Sequence, residues 1–147
     1  ARFTNFGKAV NLEDSFEGLD SDTIEMAGAA GSTSRREVEA FVKAEDAVAL
    51  GFTLLEFIFS SLAISGPSPR TTATAFRRLV VEMFDFEMVQ LREYCAAEEE
   101  WDVVVQLLDQ DEQAGWEFLS QLFMEKKPTD ELIECRFFRC SAPGESS

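Results

Sequence analysis

At 147 residues the chain has the length of one domain, and its 46% hydrophobic content with 14 phenylalanines supplies a core, which excludes wholesale disorder. Thirteen basic residues face 28 acidic ones; the net charge of −15 repels phosphate backbones and anionic lipid, so nucleic acid is not expected as a partner, and the charge either keeps the protein soluble or favours a protein partner that is basic or part of a larger complex. The absence of histidine, with Cys95, Cys135 and Cys140 outside any CxxC spacing, excludes a Cys/His zinc site or thiol dyad, and no metal or cofactor site is expected.

In chain order, residues 1–10 alternate briefly and predict a short strand ending at Gly7. Residues 11–34 turn acidic and then Gly/Ala/Ser-rich (Ala27-Gly28-Ala29-Ala30-Gly31-Ser32), a loop composition. Residues 35–140 read as helices. A helical run begins between Ser34 and Glu39, and Asp46 is placed as N-cap of a helix over Ala47–Ser60. That helix is apolar nearly all round, the mark of a central helix. The segment Ala47–Ile64 lies at the lower length limit for a membrane span, roughly 20 residues. Glu56 at its middle argues for a buried soluble helix, its carboxylate at a polar edge or paired with a base such as Arg77 or Arg78. Gly66-Pro67-Ser68-Pro69 is a stop.

Residues 72–96 predict one long amphipathic helix carrying Phe76, Leu79, Val80, Met83, Phe84, Phe86 and Leu91. Glu98–Leu108 predicts another, with Trp101, Val104, Val105 and Leu108 on one stripe, broken by Asp109-Gln110-Asp111. A further helix over 113–124 carries Trp116, Leu119, Leu122 and Phe123 and ends at Lys126-Lys127-Pro128. Thr129 caps a short last helix that finishes at Phe137-Phe138, and 141–147 is a frayed polar tail. The clusters Glu98-Glu99-Glu100 with Asp102, and Asp109 with Asp111 and Glu112, read as solvated helix ends; the stretch after Asp109 lacks the later ligands of a calcium loop. Ser32, Thr33, Ser34, Arg35 and Arg36 read as a flexible loop or a phosphorylation-controlled segment. Trp101 and Trp116 suit core or helix packing, or a partner-binding face if they cluster on the surface. The cysteines read as ordinary thiols in a reducing intracellular compartment, with Cys135 and Cys140 redox-active if exposed.

Three segments in order resemble the C-lobe of eukaryotic-type protein kinases. Arg2-Phe3-Thr4-Asn5-Phe6-Gly7-Lys8-Ala9 resembles the strand and magnesium-binding Asp-Phe-Gly motif that open the activation segment. Asp46-Ala47-Val48-Ala49-Leu50-Gly51-Phe52-Thr53-Leu54-Leu55-Glu56 resembles the family's Asp-Val-Trp-Ser-Leu-Gly run and its buried F helix. Gly115-Trp116-Glu117-Phe118-Leu119, then Lys127-Pro128-Thr129-Asp130-Glu131-Leu132 and Arg136-Phe137-Phe138, resemble its H and I helices. The stretch from Asp111 to Glu117 is similar to the state-transition kinases of plant thylakoids.

The resemblance implies a mainly α fold, the helical C-lobe half of a kinase, over 1–140 as one domain with a short N-terminal strand and a flexible loop. Asn5, Phe6 and Gly7 would be a degenerate metal and nucleotide motif, and Asp46, Gly51, Trp116 and Lys127 structural family positions. Asn5 stands where the family has its metal-binding Asp, and an amide lacks the charge that a hard divalent cation needs. Lys127 stands for an Arg that in the family pairs with the Glu of an Ala-Pro-Glu motif not found here; Ala27–Gly31 lies roughly in its place. The Gly-rich loop, the strand Lys and the His-Arg-Asp loop would all lie upstream of this chain. The expectation is therefore a catalytically incompetent scaffold or regulatory subunit, in a chloroplast stroma or at a thylakoid surface by the narrower resemblance. Its alternatives are the C-terminal part of an active serine/threonine kinase and an unrelated acidic helical interaction domain.

Overall fold

The computed structural model describes Leu19, residues 21–127 and residues 129–139, without the side chains of Thr129, Asp130 and Arg139. The predicted strand over 1–10, the Asn5-Phe6-Gly7 motif, Pro128, Cys140 and the tail lie outside the described residues. The described residues are mainly helical and include no strand. The chain divides into two units, Ala1–Lys43 and Ala44–Ser147.

In the first unit a helix, α1 (Ser21–Ala29), stands where loop composition was expected. Its small residues end it rather than prevent it. Gly31, at φ +92°, takes the left-handed position after the helix, Ser32 N–H reaches the Ala27 carbonyl (2.9 Å) and Gly31 N–H that of Gly28 (2.9 Å), which is the Schellman closure. The next helix, α2 (Arg35–Leu62), starts from a reciprocal cap. Glu37 N–H donates to Ser34 Oγ (3.3 Å) while Ser34 N–H donates to Glu37 Oε2 (2.9 Å), and Thr33 N–H and Oγ1 add bonds of 2.6 and 2.9 Å to the same carboxylate oxygen. These bonds, the Thr33 amide first, pull Glu37 from 4.5 down to about 2. Ser32–Ser34 is thus a capped turn rather than a featureless loop.

The division between the units falls within α2, which runs through Asp46 without a break. Nothing between Glu39 and Ala47 is a helix breaker, so Asp46 is an exposed mid-helix residue and not the expected cap.

The second unit is built on the rest of α2. Phe52, Leu55 and Phe59 are buried on one face, with Ala47 and Val48 a turn or two earlier. The opposite face is open: Ala49, Thr53 and Ser61 are exposed and Phe57 keeps 61% of its surface. The open part is a narrow stripe, since Leu50, Leu54, Ile58 and Leu62 are partly buried against the core on either side of the buried face; the helix is covered over most of its circumference but not all round as its composition suggested. Gly51 is part of that contact; a Cβ there would meet the Phe123 ring at 2.6 Å. Glu56 accepts the Ala73 N–H (2.8 Å) at the start of the next helix instead of pairing with Arg77 or Arg78. Arg77 instead lies over the Phe52 ring, 4.6 Å from its centroid.

After Leu62 the chain turns through Gly66 (φ +72°) into a short 3₁₀ turn, Pro69–Thr71, capped by Ser68. Thr71 is fully buried yet satisfied: its hydroxyl takes bonds from Ser60 Oγ (3.0 Å) and Ser68 N–H (2.9 Å) and donates to the Ser68 carbonyl (3.0 Å).

The predicted single helix over 72–96 is two. α3 (Ala73–Arg77) widens into a π turn over Arg78–Met83 and stops, and α4 covers Met88–Ala96. Asp85 and Phe86 interrupt them at φ 45° and 64°. Left-handed backbone costs such residues about 1–2 kcal/mol each. Phe86 offsets part of this by packing its ring near Phe123, centroids 6.2 Å apart. A 3₁₀ turn (Glu99–Trp101) leads into α5 (Asp102–Leu108), then α6 (Gln110–Ser120), a π turn over Gln121–Glu125, α7 (Thr129–Leu132) and α8 (Arg136–Arg139). Lys126, left-handed at φ 49°, ends the α6 run where Lys126-Lys127-Pro128 was expected to end it.

The core is aromatic. Phe59 packs against Phe76 (4.6 Å) and edge-on to Trp101 (5.2 Å), and Tyr94 reaches Trp101 at 5.8 Å. Trp101 has no exposed surface, and its indole N–H has no hydrogen-bond partner among the described residues. Arg70 covers this ring at 4.9 Å while its guanidinium meets Glu98 (3.3 Å) and Glu100 (3.6 Å).

Candidate functional site

The groups with the most developed polar geometry lie where α4, the α5–α6 junction and α8 meet. On α4, Arg92 faces Asp109 at the end of α5, and two parallel bonds of 2.7 Å join its Nε and Nη2 to Oδ1 and Oδ2. Asp109 Oδ1 also accepts the indole N–H of Trp116 (2.9 Å), which is 4% exposed and sits one turn into α6. The carboxyl of Asp109 is held below its usual range by the Arg92 bonds first, against a smaller burial effect, with Trp116 helping last. Arg92 is pushed upward by the same bond.

Between Asp109 and Trp116 the backbone is unusual. Asp111, Glu112 and Gln113 have φ of 49°, 57° and 67°, a left-handed turn with no glycine in it. The turn brings Gly115 against Leu108, so that a Cβ at Gly115 would lie 2.6 Å from Leu108 Cδ2 and 2.7 Å from its Cα. It also sets Glu112 and Glu117 on one side of α6. Arg136 of α8 bridges them, with Nη1 to Glu112 at 3.4 Å and Nη2 to Glu117 at 2.5 Å. The neighbouring Phe137 and Phe138 rings rest on Phe118 at 5.6 and 5.0 Å.

A cleft of about 240 Å³ opens between α4 and α6, with Met88, Val89 and Trp116 as its apolar walls and Arg92, Glu112 and Glu117 among its polar ones. Arg92 and Asp109 neutralise each other, and among the described residues no group of acids or thiols has metal-ligand geometry.

The expected positions do not converge on one site. Asp46 is exposed on α2, Gly51 is packed under Phe123, and Trp116 binds Asp109 at the cleft. Lys127 pairs locally with Glu125 (2.9 Å). Glu98 and Glu100, expected as a solvated helix end, are engaged by Arg70. Cys95 is buried, and burial pushes its thiol up to about 12, which disfavours the thiolate; Cys135 is half-buried, and neither is in a disulfide.

Sequence reasoning missed the Arg92–Asp109–Trp116 cluster and the Arg136 bridge. The signal for the first was a half-legible one, an acidic residue at a helix break followed by Trp at the next helix. No helix among the described residues is long and apolar enough to cross a membrane. No family model, curated protein or solved structure matches the chain.

Proposed function

We propose that the chain is a binding module, a kinase-like helical unit that acts as a scaffold or regulatory subunit through protein–protein contact rather than by phosphoryl transfer. The observation that carries the binding part is the open stripe of α2. Phe57 is 61% exposed and Ile64, just past the helix, is 72% exposed, in line with exposed Ala49, Thr53 and Ser61. Large apolar side chains arranged along one face are a common mark of a partner surface. In the resemblance, the same segment is the buried F helix, and a half-lobe would expose the face that in the family packs on the catalytic loop and N-lobe.

The resemblance also accounts for buried Gly51 and Trp116, and Asn5 in place of the metal-binding Asp argues against catalysis. By the narrower similarity, the setting is a reducing chloroplast compartment. A second reading is favoured by the same α2 observation: an acidic helical interaction domain unrelated to kinases, since the family's F helix is buried and this one keeps an exposed stripe.

Thermal denaturation of the full chain with magnesium and ATP tests the non-catalytic part. No shift is expected. Stabilisation approaching the roughly 2.7 kcal/mol that a ligand at a hundred times its Kd confers would overturn it. For the binding part, light scattering after size exclusion is expected to show association that weakens in Phe57→Asp. A concentration-independent monomer indifferent to that substitution would refute a role for this face.

A further inference from the structure

The cleft between α4 and α6 narrows the chemistry of the partner. Its volume, about 240 Å³, falls below the roughly 300–1,000 Å³ of small-molecule pockets and suits one inserted side chain. Met88 and Trp116 are buried at its floor, and Val89 stands at its edge with 66% of its surface open. An apolar side chain therefore fits it.

The charge at its mouth is negative. The guanidinium of Arg92 is committed to Asp109 through two short bonds and offers little to an incoming anion. Glu117 is held closely by Arg136, but Glu112 meets the same guanidinium only at 3.4 Å and has an 88% exposed side chain. Such a contact is weak and screened, so the Glu112 carboxylate remains open to a second cation. The left-handed turn Asp111–Gln113 fixes this carboxylate beside the cleft, a strained arrangement of the kind that gathers at ligand clamps.

The chain carries its own example of the chemistry. In α8 an arginine followed by two aromatic rings settles on α6, with Arg136 on the carboxylates and Phe137 and Phe138 against Phe118. The net charge of −15 adds long-range attraction for a basic partner and repulsion for an acidic one.

We infer that this cleft receives one apolar side chain from a basic segment of a partner protein, with a lysine or arginine of that segment on Glu112. The inference rests on the binding-module reading and specifies its partner.

The test is an amide and indole NMR titration of the full chain. The probes are a capped pentapeptide alternating arginine and leucine and the same peptide with glutamate for arginine. The arginine peptide is expected to shift the Trp116 indole N–H and the Val89 and Ser120 amides saturably and to leave the buried Trp101 indole unmoved. The glutamate peptide is expected to shift none of them. Glu112→Lys is expected to weaken binding about tenfold, equivalent to roughly 1.4 kcal/mol. Because Glu112 is exposed, the substitution should leave the fold intact, which an unchanged Trp101 resonance verifies.

Equal shifts with both peptides, an unaffected Glu112→Lys, or no shift up to millimolar peptide would each overturn the inference. Shifts confined to residues outside the cleft would overturn it while leaving the binding-module reading standing. That reading fails separately, by nucleotide stabilisation or by indifference to Phe57→Asp.

Discussion

Asp109 is the residue on which the α4–α6 geometry depends, and its removal separates two kinds of cost. In Asp109→Ala, three donors lose their acceptor: Arg92 Nε and Nη2, and Trp116 Nε1. They are not equivalent. Arg92 keeps 31% of its side-chain surface and can turn to water, so its loss costs about 0.5–1 kcal/mol. Trp116 is 4% exposed and its N–H has no such alternative; an unsatisfied buried donor costs about 1–3 kcal/mol. The expected destabilisation is about 1.5–4 kcal/mol for Ala. In Asp109→Asn an oxygen remains for Trp116 and only the charge is lost, so about 1 kcal/mol is expected. Urea unfolding followed by tryptophan emission and far-ultraviolet circular dichroism measures both. An Asn variant as unstable as Ala would show that the ion pair, not the indole bond, dominates, and an Ala cost below about 1 kcal/mol would refute the whole account. The pH dependence has a definite sign. The folded carboxyl lies below its ordinary 3.8, so its contribution is present above 3.8 and is lost as pH falls through the lowered folded value. Both variants are expected to remove that part of the acid sensitivity.

Gly115→Ala is expected to lose about 1–2 kcal/mol, since overpacking of about 1–3 kcal/mol against the Leu108 backbone outweighs a helix-propensity gain of up to about 1. Gly51→Ala should cost less in the same urea assay, because its new methyl meets only the edge of the Phe123 ring; a larger loss at Gly51 would contradict the contacts. Glu56→Ala removes the acceptor of the Ala73 N–H and should cost about 1 kcal/mol, with Glu56→Gln nearer to the parent; equal losses would show that the carboxylate charge matters more than the bond. Glu37, depressed from 4.5 to about 2, stabilises the start of α2 fully above 4.5 and ceases to as pH falls through 2; a side-chain carboxyl resonance titrating near 4.5 would refute the capping geometry.

How much of this was legible follows from the range of each interaction. Apolar periodicity located the helices around Phe52–Phe59, Trp101–Leu108 and Trp116–Phe123, because those stripes are the buried faces. The Ser34–Glu37 cap lies within one turn, and the start of that helix was readable. Asp46 was misread because Asp is both a frequent cap and a tolerated exposed helix residue, and only the continuity of neighbours decides between them. The break at Asp85–Phe86 carries neither Gly nor Pro, so no local rule announces it; packing of Phe86 toward Phe123 does. Arg92–Asp109, Arg136–Glu117 and Glu56–Ala73 each join different elements, and composition contains no record of which partners meet.

The incomplete burial of α2 bears most on function. A helix with Leu54, Leu55, Phe57, Ile58 and Phe59 in close succession has more apolar surface than one contact face can cover, and the structure leaves Phe57 outside. If packing within the chain were the only demand on this segment, position 57, opposite the core, would gain solubility from a polar side chain at no cost in burial. The contact surface proposed above would supply such a further demand at Phe57, beside Thr53 and Ser61. At the α4–α6 cleft the demand is different: charge at the rim with one apolar slot. The two surfaces differ in chemistry, an apolar stripe along α2 and a charged rim with one apolar slot at the α4–α6 cleft.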